Sequence, residues 1–194
     1  MLLALDPGVN SPGVALFSAE LVMADRVPVP SAFVALSDGQ RWWQVAERVV
    51  NHVRPAISGS STLLIAFECP QWYQRGKSKG NPNQLVGIAG VAANVTGILS
   101  RSHAIRVLSP TPAEWIGQLP KTCPTCKANK KKCPECLGSA WNTPRGRRIA
   151  SRLSEQEFRS IPDQNDAIDA VGLGLWALGR LTPRSVLSNG RDGR

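Results

Sequence analysis

Apolar residues recur along this chain in short runs that leave no polar face. Two segments show this pattern, "LLALD" (2–6) and "STLLIAFE" (61–68), and three further segments are predicted strands: "GVALFSAE" (13–20), "LVMADRVPV" (21–29) and "AIRVLSP" (104–110). Runs that are apolar at every position are typical of strands buried on both faces. A short turn joins 2–6 to 13–20 and the segment 21–29 follows directly, which favours an antiparallel meander.

Apolar residues at helical spacing occur in most of the sequence between these segments. Residues 39–55 are predicted to form a helix that ends at Pro55, and 84–101 a helix rich in Gly and Ala. A short helix is predicted over 111–119 and further helices over 144–158 and 163–181, whereas 120–143 has no periodicity. The pattern predicts an α/β domain over 1–182, a mixed five-stranded sheet flanked by helices, with an insertion at 120–143. Residues 183–194 are expected to be a disordered tail.

Positive charge is concentrated in one stretch of the chain. Lys and Arg outnumber Asp and Glu by 23 to 14, and residues 121–148 hold eight basic residues against a single acid, Glu135. A basic patch of this kind favours a nucleic-acid partner. No apolar run approaches the roughly 20 residues of a membrane span, and no signal-peptide pattern opens the sequence. We therefore expect a cytoplasmic protein without a membrane partner.

Carboxylates stand where the apolar elements begin or end. Asp6 ends the first strand and Glu68 the fourth, and two such buried acids resist ionisation unless a positive charge lies between them. Asp166 and Asp169, in "NDAIDAVGLGLWAL", share one helical face. Attraction to the helix N-terminus accounts for Asp163 and Asp166 but poorly for Asp169. Together the acids predict a site for Mg²⁺ or Mn²⁺, whose preferred ligands are carboxylate oxygens.

Four cysteines occur as two C-x-x-C pairs in "CPTCKANKKKCPEC", at Cys123, Cys126, Cys133 and Cys136. This spacing predicts one structural, tetrahedral Zn²⁺ per chain, with disulfides as the alternative. The insertion either adds phosphate contacts or serves only to order a polar segment. Cys69 is interpreted as a packing thiol.

The motifs "LDPGVNSPGVAL", "LIAFECP" and "DAIDA" resemble, in order, those of the RuvC-type Holliday junction resolvases of the ribonuclease H-like superfamily. The resemblance covers most of residues 1–180. It implies an endonuclease that cuts four-way DNA junctions as a homodimer. Asp6, Glu68, Asp166 and Asp169 would hold two Mg²⁺ (or Mn²⁺) ions per active site. The cysteine insertion departs from the family pattern.

Two further segments carry candidate DNA contacts. Aromatic beside basic side chains suit base stacking and phosphate contact, and the loop after Glu68 offers Trp72, Tyr73, Arg75, Lys77 and Lys79. The resemblance places a junction-opening aromatic in this loop, either Trp72 or Tyr73. The insertion and the segment after it add Lys130, Lys131, Lys132, Arg145, Arg147 and Arg148.

Other functions stay open at this point. A ribonuclease H-like nuclease could act on flaps, forks or RNA–DNA hybrids instead, because fold and acids alone do not select the substrate. A non-catalytic DNA-binding zinc module is a further alternative, against which the presence of all four acids argues. The helix from Gln84 to Arg101 could contribute to a dimer interface or equally pack its small residues on the sheet.

Overall fold

The computed structural model describes residues 1–69, 82–117, 119, 123–125, 133 and 135–182, except the side chains of 82–84. Its strands are β1 (Leu2–Asp6), β2 (Gly13–Phe17), β3 (Leu21–Arg26), β4 (Thr62–Phe67) and β5 (Ala104–Leu108). Its helices are α1 (Asp38–Ile57), α2 (Pro82–Leu99), α3 (Pro112–Trp115), α4 (Pro144–Ala150), α5 (Glu155–Ser160) and α6 (Asn165–Ala177). A 3₁₀ helix covers Ser31–Ala35.

The described strands form one mixed sheet in the order β3-β2-β1-β4-β5. The first three are antiparallel neighbours, as the sequence predicts, whereas β4 pairs in parallel with both β1 and β5. β1 is central because its apolar residues are buried on both faces, as are those of β2. The carboxyl ends of β1 and β4 consequently lie side by side, which brings the chain after each strand to the same edge.

Helices cover both faces of the sheet. α1 and α2 pack on one face through a cluster that includes Leu3, Leu5 and Ile65, whereas α6 packs on the other face with Ala4 and Ala66. The alternation of side chains along each strand assigns residues to these two layers. The predicted α/β architecture, with a mixed five-stranded sheet flanked by helices, is confirmed.

The structure corrects two predicted helix boundaries. α1 continues past Pro55 to Ile57, and Ile57 is buried in the core, so apolar burial outweighs the hydrogen bond that proline cannot donate. The segment 144–158 is divided into α4 and α5 instead of forming one helix, because Ser154 caps a new helix with its side chain. The insertion is described only in part, and the tail at 183–194 lies outside the described residues.

The tryptophans of the helices differ in burial. Trp115 is fully buried, while Trp42, Trp43 and Trp176 are half-buried. Among the described residues, no helix combines the length and the apolar character needed to cross a bilayer.

The buried Glu157 connects α5 with β3 and with the segment that follows α6. Its carboxylate accepts hydrogen bonds from the Arg180 guanidinium at 2.7 and 2.8 Å and from the backbone N–H of Leu21 at 3.1 Å. The Arg180 hydrogen bonds, helped by backbone N–H groups, outweigh burial and lower the pKa of Glu157 to about 2. A carboxyl whose pKa is lowered by folding stabilises the fold above its unfolded pKa, near 4.5.

We therefore expect acid to remove this contribution as the pH falls from about 4.5 toward 2. The shift corresponds to about 3 kcal/mol, by 1.36 kcal/mol per pH unit. Glu157→Gln should lower the free energy of unfolding at pH 7 and flatten its decline below pH 4.5, as measured by urea titration at several pH values. Glu155→Gln, at an exposed ion pair with Arg159, is the matched control. An unchanged acid profile in Glu157→Gln would contradict this assignment.

Candidate functional site

The first turn of α6 lies directly on the ends of three strands. Asp6 of β1, Gly13 of β2 and Arg26 of β3 occupy one row across the sheet. A Cβ at Gly13 would overlap the backbone carbonyl of Asp166 and come within 2.9 Å of the Ala167 nitrogen. Gly13 is therefore required because the helix backbone crosses the strand there without room for a side chain. This close crossing brings Asp166 beside the row that contains Asp6.

Glu68 follows β4 on the same side of the sheet. Leu5 pairs with Phe67, so the next position of β4 comes beside Asp6. Strand alternation carries Glu68 to the α6 face together with Ala66. There the Glu68 carboxylate accepts a hydrogen bond of 2.9 Å from Nε1 of the buried Trp115. A buried indole N–H needs such an acceptor, and the bond fixes the Glu68 side chain.

Asp169, one turn further along α6, is buried and paired with a cation. Nη1 of Arg145 lies 3.2 and 3.3 Å from its two carboxylate oxygens. The Arg145 guanidinium also lies over the Trp115 ring, 5.3 Å from Cζ to the ring centroid. Glu68, Trp115, Arg145 and Asp169 thus form one continuous chain of contacts.

Asp6, Glu68 and Asp166 lie at this edge and Asp169 lies one turn further along α6, but their carboxylate oxygens do not form a cluster. Nε of Arg26 lies 3.7 Å from the Asp166 carboxylate, so each aspartate of α6 has an arginine partner. Among the residues that the structure describes, a single group has three or more candidate ligand atoms within 4.8 Å of one another. That group consists of thiols. The acids fit a divalent metal because carboxylate oxygens are the ligands that such ions prefer. Asp166 and Asp169 already lie beside arginine cations, so positive charge is favoured at these positions. Binding would require these side chains to turn toward the ion.

Cys123, Cys133 and Cys136 form the second candidate site, a buried cluster of three thiols. The sulfurs of Cys123 and Cys133 are 3.8 Å apart, far beyond a disulfide bond. Zn–S bonds of about 2.3 Å in a tetrahedron give about this separation. The thiols fit zinc, and Cys126, the predicted fourth ligand, lies outside the described residues.

The turn after the thiols joins the cluster to the rest of the domain. Leu137 and Gly138 both have positive φ and turn the chain back, and the Leu137 N–H donates to the Cys133 carbonyl at 2.8 Å. The Asn142 amide donates to the Cys136 carbonyl, and the Ala140 N–H donates to Asp163 just before α6. The thiol cluster is thereby connected to the helix that carries two of the acids.

The candidate DNA contacts are only partly described. Trp72, Tyr73, Arg75, Lys77, Lys79, Lys130, Lys131 and Lys132 lie outside the described residues. Arg147 is exposed on α4, and Arg148 donates to the Thr182 carbonyl at 3.2 Å. The Arg145 side chain instead points into the interior, and its contact with a phosphate stays a prediction.

The sequence analysis does not indicate two contacts of the site. These are the hydrogen bond from the Trp115 N–H to Glu68 and the ion pair between Arg26 and Asp166. The signal available for Trp115 was that a buried indole N–H requires an acceptor. Arg26 lies inside the predicted strand 21–29, but nothing local indicates which helix lies above it.

Comparison with solved structures identifies the fold. The RuvC of Thermus thermophilus in complex with a Holliday junction substrate matches with a TM-score of 0.50 at 12% identity, over 93% of this chain and 97% of that one. Another Thermus thermophilus RuvC structure gives 0.48 at 12% identity, over 93% and 98%. The yeast mitochondrial Holliday junction resolvase Ydc2 gives 0.43 at 13%, over 92% and 79%. No protein-family model and no curated protein matches the chain. The chain has a RuvC-type fold.

Proposed function

We propose that this protein is a metal-dependent endonuclease that resolves four-way DNA junctions by paired, symmetric nicks. The observation that carries the proposal is the fold around the sheet edge, where Asp6 and Glu68 end neighbouring strands beside Asp166, with Asp169 one turn further along α6. Rigid strand ends and a helix crowded onto Gly13 hold the acids more accurately than loops could. The RuvC-type fold supports the same activity.

The four carboxylates would hold two Mg²⁺ or Mn²⁺ ions. Such ions supply a nucleophilic hydroxide and stabilise the charge on the leaving oxygen of a phosphodiester. The protein's own contribution is positional. Trp115 fixes the Glu68 carboxylate through its N–H, and the close packing at Gly13 fixes the first turn of α6.

Branched DNA is the substrate that we propose. The Thermus RuvC structure contains a Holliday junction substrate, and Ydc2 is described as a Holliday junction resolvase. In this chain, the basic excess of residues 121–148 and the exposed Arg147 supply positive charge for the phosphates. The loop with Trp72 and Tyr73 would supply the aromatic that stacks on bases at the crossover.

The deciding experiment offers the purified protein several DNA substrates with Mg²⁺. A synthetic mobile four-way junction, a flap, a replication fork, an RNA–DNA hybrid and plain duplex are compared at equal concentration. We expect paired nicks in two junction strands of like polarity and little cutting of duplex. Preferential cutting of flaps, forks or hybrids would show that the four-way junction is not the preferred substrate. Binding without any cutting would favour a non-catalytic module.

A homodimer follows from the two-fold symmetry of the proposed substrate, since two equivalent cuts need two equivalent active sites. Within the chain, the Gly87 and Gly90 positions of α2 are filled by the Trp42 ring, so these glycines serve internal packing. The exposed face of α2 carries a stripe of small and apolar residues, formed by Val86, Ala89, Ala93 and Gly97. We propose this stripe as part of the dimer interface.

Light scattering at micromolar concentration should give about twice the chain mass of 20.9 kDa. Ala93→Arg should shift the protein toward the monomer, because a charged side chain cannot be buried between two helices without a partner. Ser18→Arg, in the exposed turn between β2 and β3, is the control and should remain dimeric. A monomer that binds a junction one-to-one would contradict paired resolution.

The thiol cluster predicts about one zinc per chain in protein purified without added metal. Cys133→Ser should lower both the zinc content and the thermal stability, because removing a ligand opens the site and the metal contributes to folding. Elemental analysis with mass spectrometry checks the content. Cys69→Ser, outside the cluster, should keep its zinc. Purified protein with free thiols and no zinc would refute the assignment.

A further inference from the structure

Arg145 is a buried cation at the proposed active site. It exposes 9% of its surface and Asp169 exposes 5%, so the pair is almost wholly removed from water. Burying either charge alone is strongly unfavourable, whereas a paired and hydrogen-bonded guanidinium and carboxylate can be accommodated. Arg145 therefore does for Asp169, within the described chain, what a bound cation would do.

The guanidinium is held in place by groups other than Asp169. Its Nε and Nη2 donate to the Leu119 carbonyl at 3.4 and 3.3 Å, and its face rests on the Trp115 ring. Gly146, the next residue, packs so closely on the 140–141 backbone that an added Cβ would lie 2.8 Å from the Trp141 Cα. This close packing fixes the position of α4, from which the Arg145 side chain extends toward Asp169.

The third guanidinium nitrogen contacts both oxygens of the carboxylate. Nη1 is almost equidistant from Oδ1 and Oδ2 of Asp169, at 3.2 and 3.3 Å. A divalent ion bound to the same oxygens would be repelled by the guanidinium at this distance. Arg145 and the metal therefore compete for the same charge on Asp169.

We propose that Arg145 is a positioning residue, an internal counter-ion that holds the Asp169 carboxylate in the metal-free protein and competes with the divalent ion for it. The inference rests on the proposed metal site. Arg145 stabilises the acidic edge when no metal is bound and weakens metal affinity, so a higher metal concentration is needed to fill the site. The Leu119 carbonyl and the Trp115 ring keep the guanidinium beside the site after it yields Asp169.

The test measures metal binding directly, in the full-length protein without DNA. Binding of Mn²⁺ is followed by loss of the free-ion electron paramagnetic resonance signal, and thermal unfolding is recorded in parallel. Arg145→Gln removes the charge and keeps hydrogen-bonding capacity, while Arg145→Met keeps only the bulk. Arg159→Met, which breaks the exposed ion pair with Glu155 on α5, is the matched control.

We expect both Arg145 variants to bind Mn²⁺ about tenfold more tightly than the unaltered protein. Without metal, their Tm should fall by roughly 5–10 °C, because Asp169 loses its buried partner. Saturating Mn²⁺ should restore most of this loss. Arg159→Met should leave both the affinity and the Tm near those of the unaltered protein. In an Asp169→Asn background, Arg145→Gln should no longer change the Mn²⁺ affinity, which shows that Arg145 acts through Asp169.

Unchanged or weaker Mn²⁺ binding in the Arg145 variants, with clear binding by the unaltered protein, would overturn the competition and leave the nuclease proposal standing. If neither the unaltered protein nor the variants take up Mn²⁺, both this inference and the proposed metal site are refuted. A change in affinity that persists in the Asp169→Asn background would also overturn it, since Arg145 would then act elsewhere.

Discussion

Asp6→Asn and Glu68→Gln should each lower junction cleavage by about 1,000-fold, which corresponds to about 4 kcal/mol in the barrier. Each substitution removes one negative oxygen from the metal-binding edge and preserves side-chain shape. Junction affinity should stay the same or rise slightly, because a negative charge facing phosphate has been removed. Cleavage is measured with a labelled four-way junction in Mg²⁺, and binding by electrophoretic shift in Ca²⁺.

Two features of this test distinguish a loss of catalysis from misfolding. The amide of Glu68→Gln still offers an oxygen to the Trp115 N–H, so the hydrogen bond that positions the side chain can persist. Glu155→Gln on α5 removes an exposed carboxylate away from the sheet edge and should keep full cleavage. Mg²⁺-dependent nicking at an undiminished rate by either variant would exclude that residue from the mechanism.

The fold was predictable because its central strands are unusual in sequence. "LLALD" and "STLLIAFE" are apolar on both faces, which specifies strands buried between two layers, and acids are conspicuous at the ends of such runs. Asp169 was equally conspicuous, since it precedes almost uninterrupted apolar sequence on α6. Local pattern therefore sufficed for the sheet, and it also singled out the acids as candidate ligands.

Side-chain partners were not predictable in the same way. Arg145 stands in a basic segment, "PRGRR", that favours a solvent-facing role. Its inward direction follows from how α4 packs on α6, where Gly172 admits the Ile149 side chain and the Trp115 ring. Such packing depends on residues far apart in sequence. The local sequence therefore does not indicate whether the Arg145 guanidinium contacts Asp169 or solvent.

The same distinction explains the helix ends. Pro55 is a local signal for a stop, and it was overridden because Ile57 is buried against α2 and the sheet. Ser154 before Glu157 is also a local signal, a capping box, and the structure follows it. Local rules hold at these ends unless core packing opposes them.

Gly13→Ala should damage stability and catalysis together. The added methyl group would overlap the Asp166 carbonyl and meet the Ala167 nitrogen at 2.9 Å, and both belong to backbone that cannot rotate away. Overpacking of this kind costs about 3 kcal/mol, so the Tm should fall by roughly 6–12 °C. Because the first turn of α6 must move away from β2, Asp166 leaves its place beside Asp6. Cleavage of the four-way junction at a temperature where the variant is folded should fall about 100-fold.

Gly59→Ala is the matched control, since a Cβ at that exposed position after α1 meets nothing within 4 Å. Because the φ angle of Gly59 lies outside the left-handed region, alanine should raise the free energy of unfolding by about 0.4–1 kcal/mol and leave cleavage unchanged. The pair of variants separates the close crossing at Gly13 from a general effect of adding a methyl group. A Gly13→Ala protein with unaltered Tm and cleavage rate would show that α6 does not depend on this crossing, and the placement of Asp166 beside Asp6 would have to be abandoned.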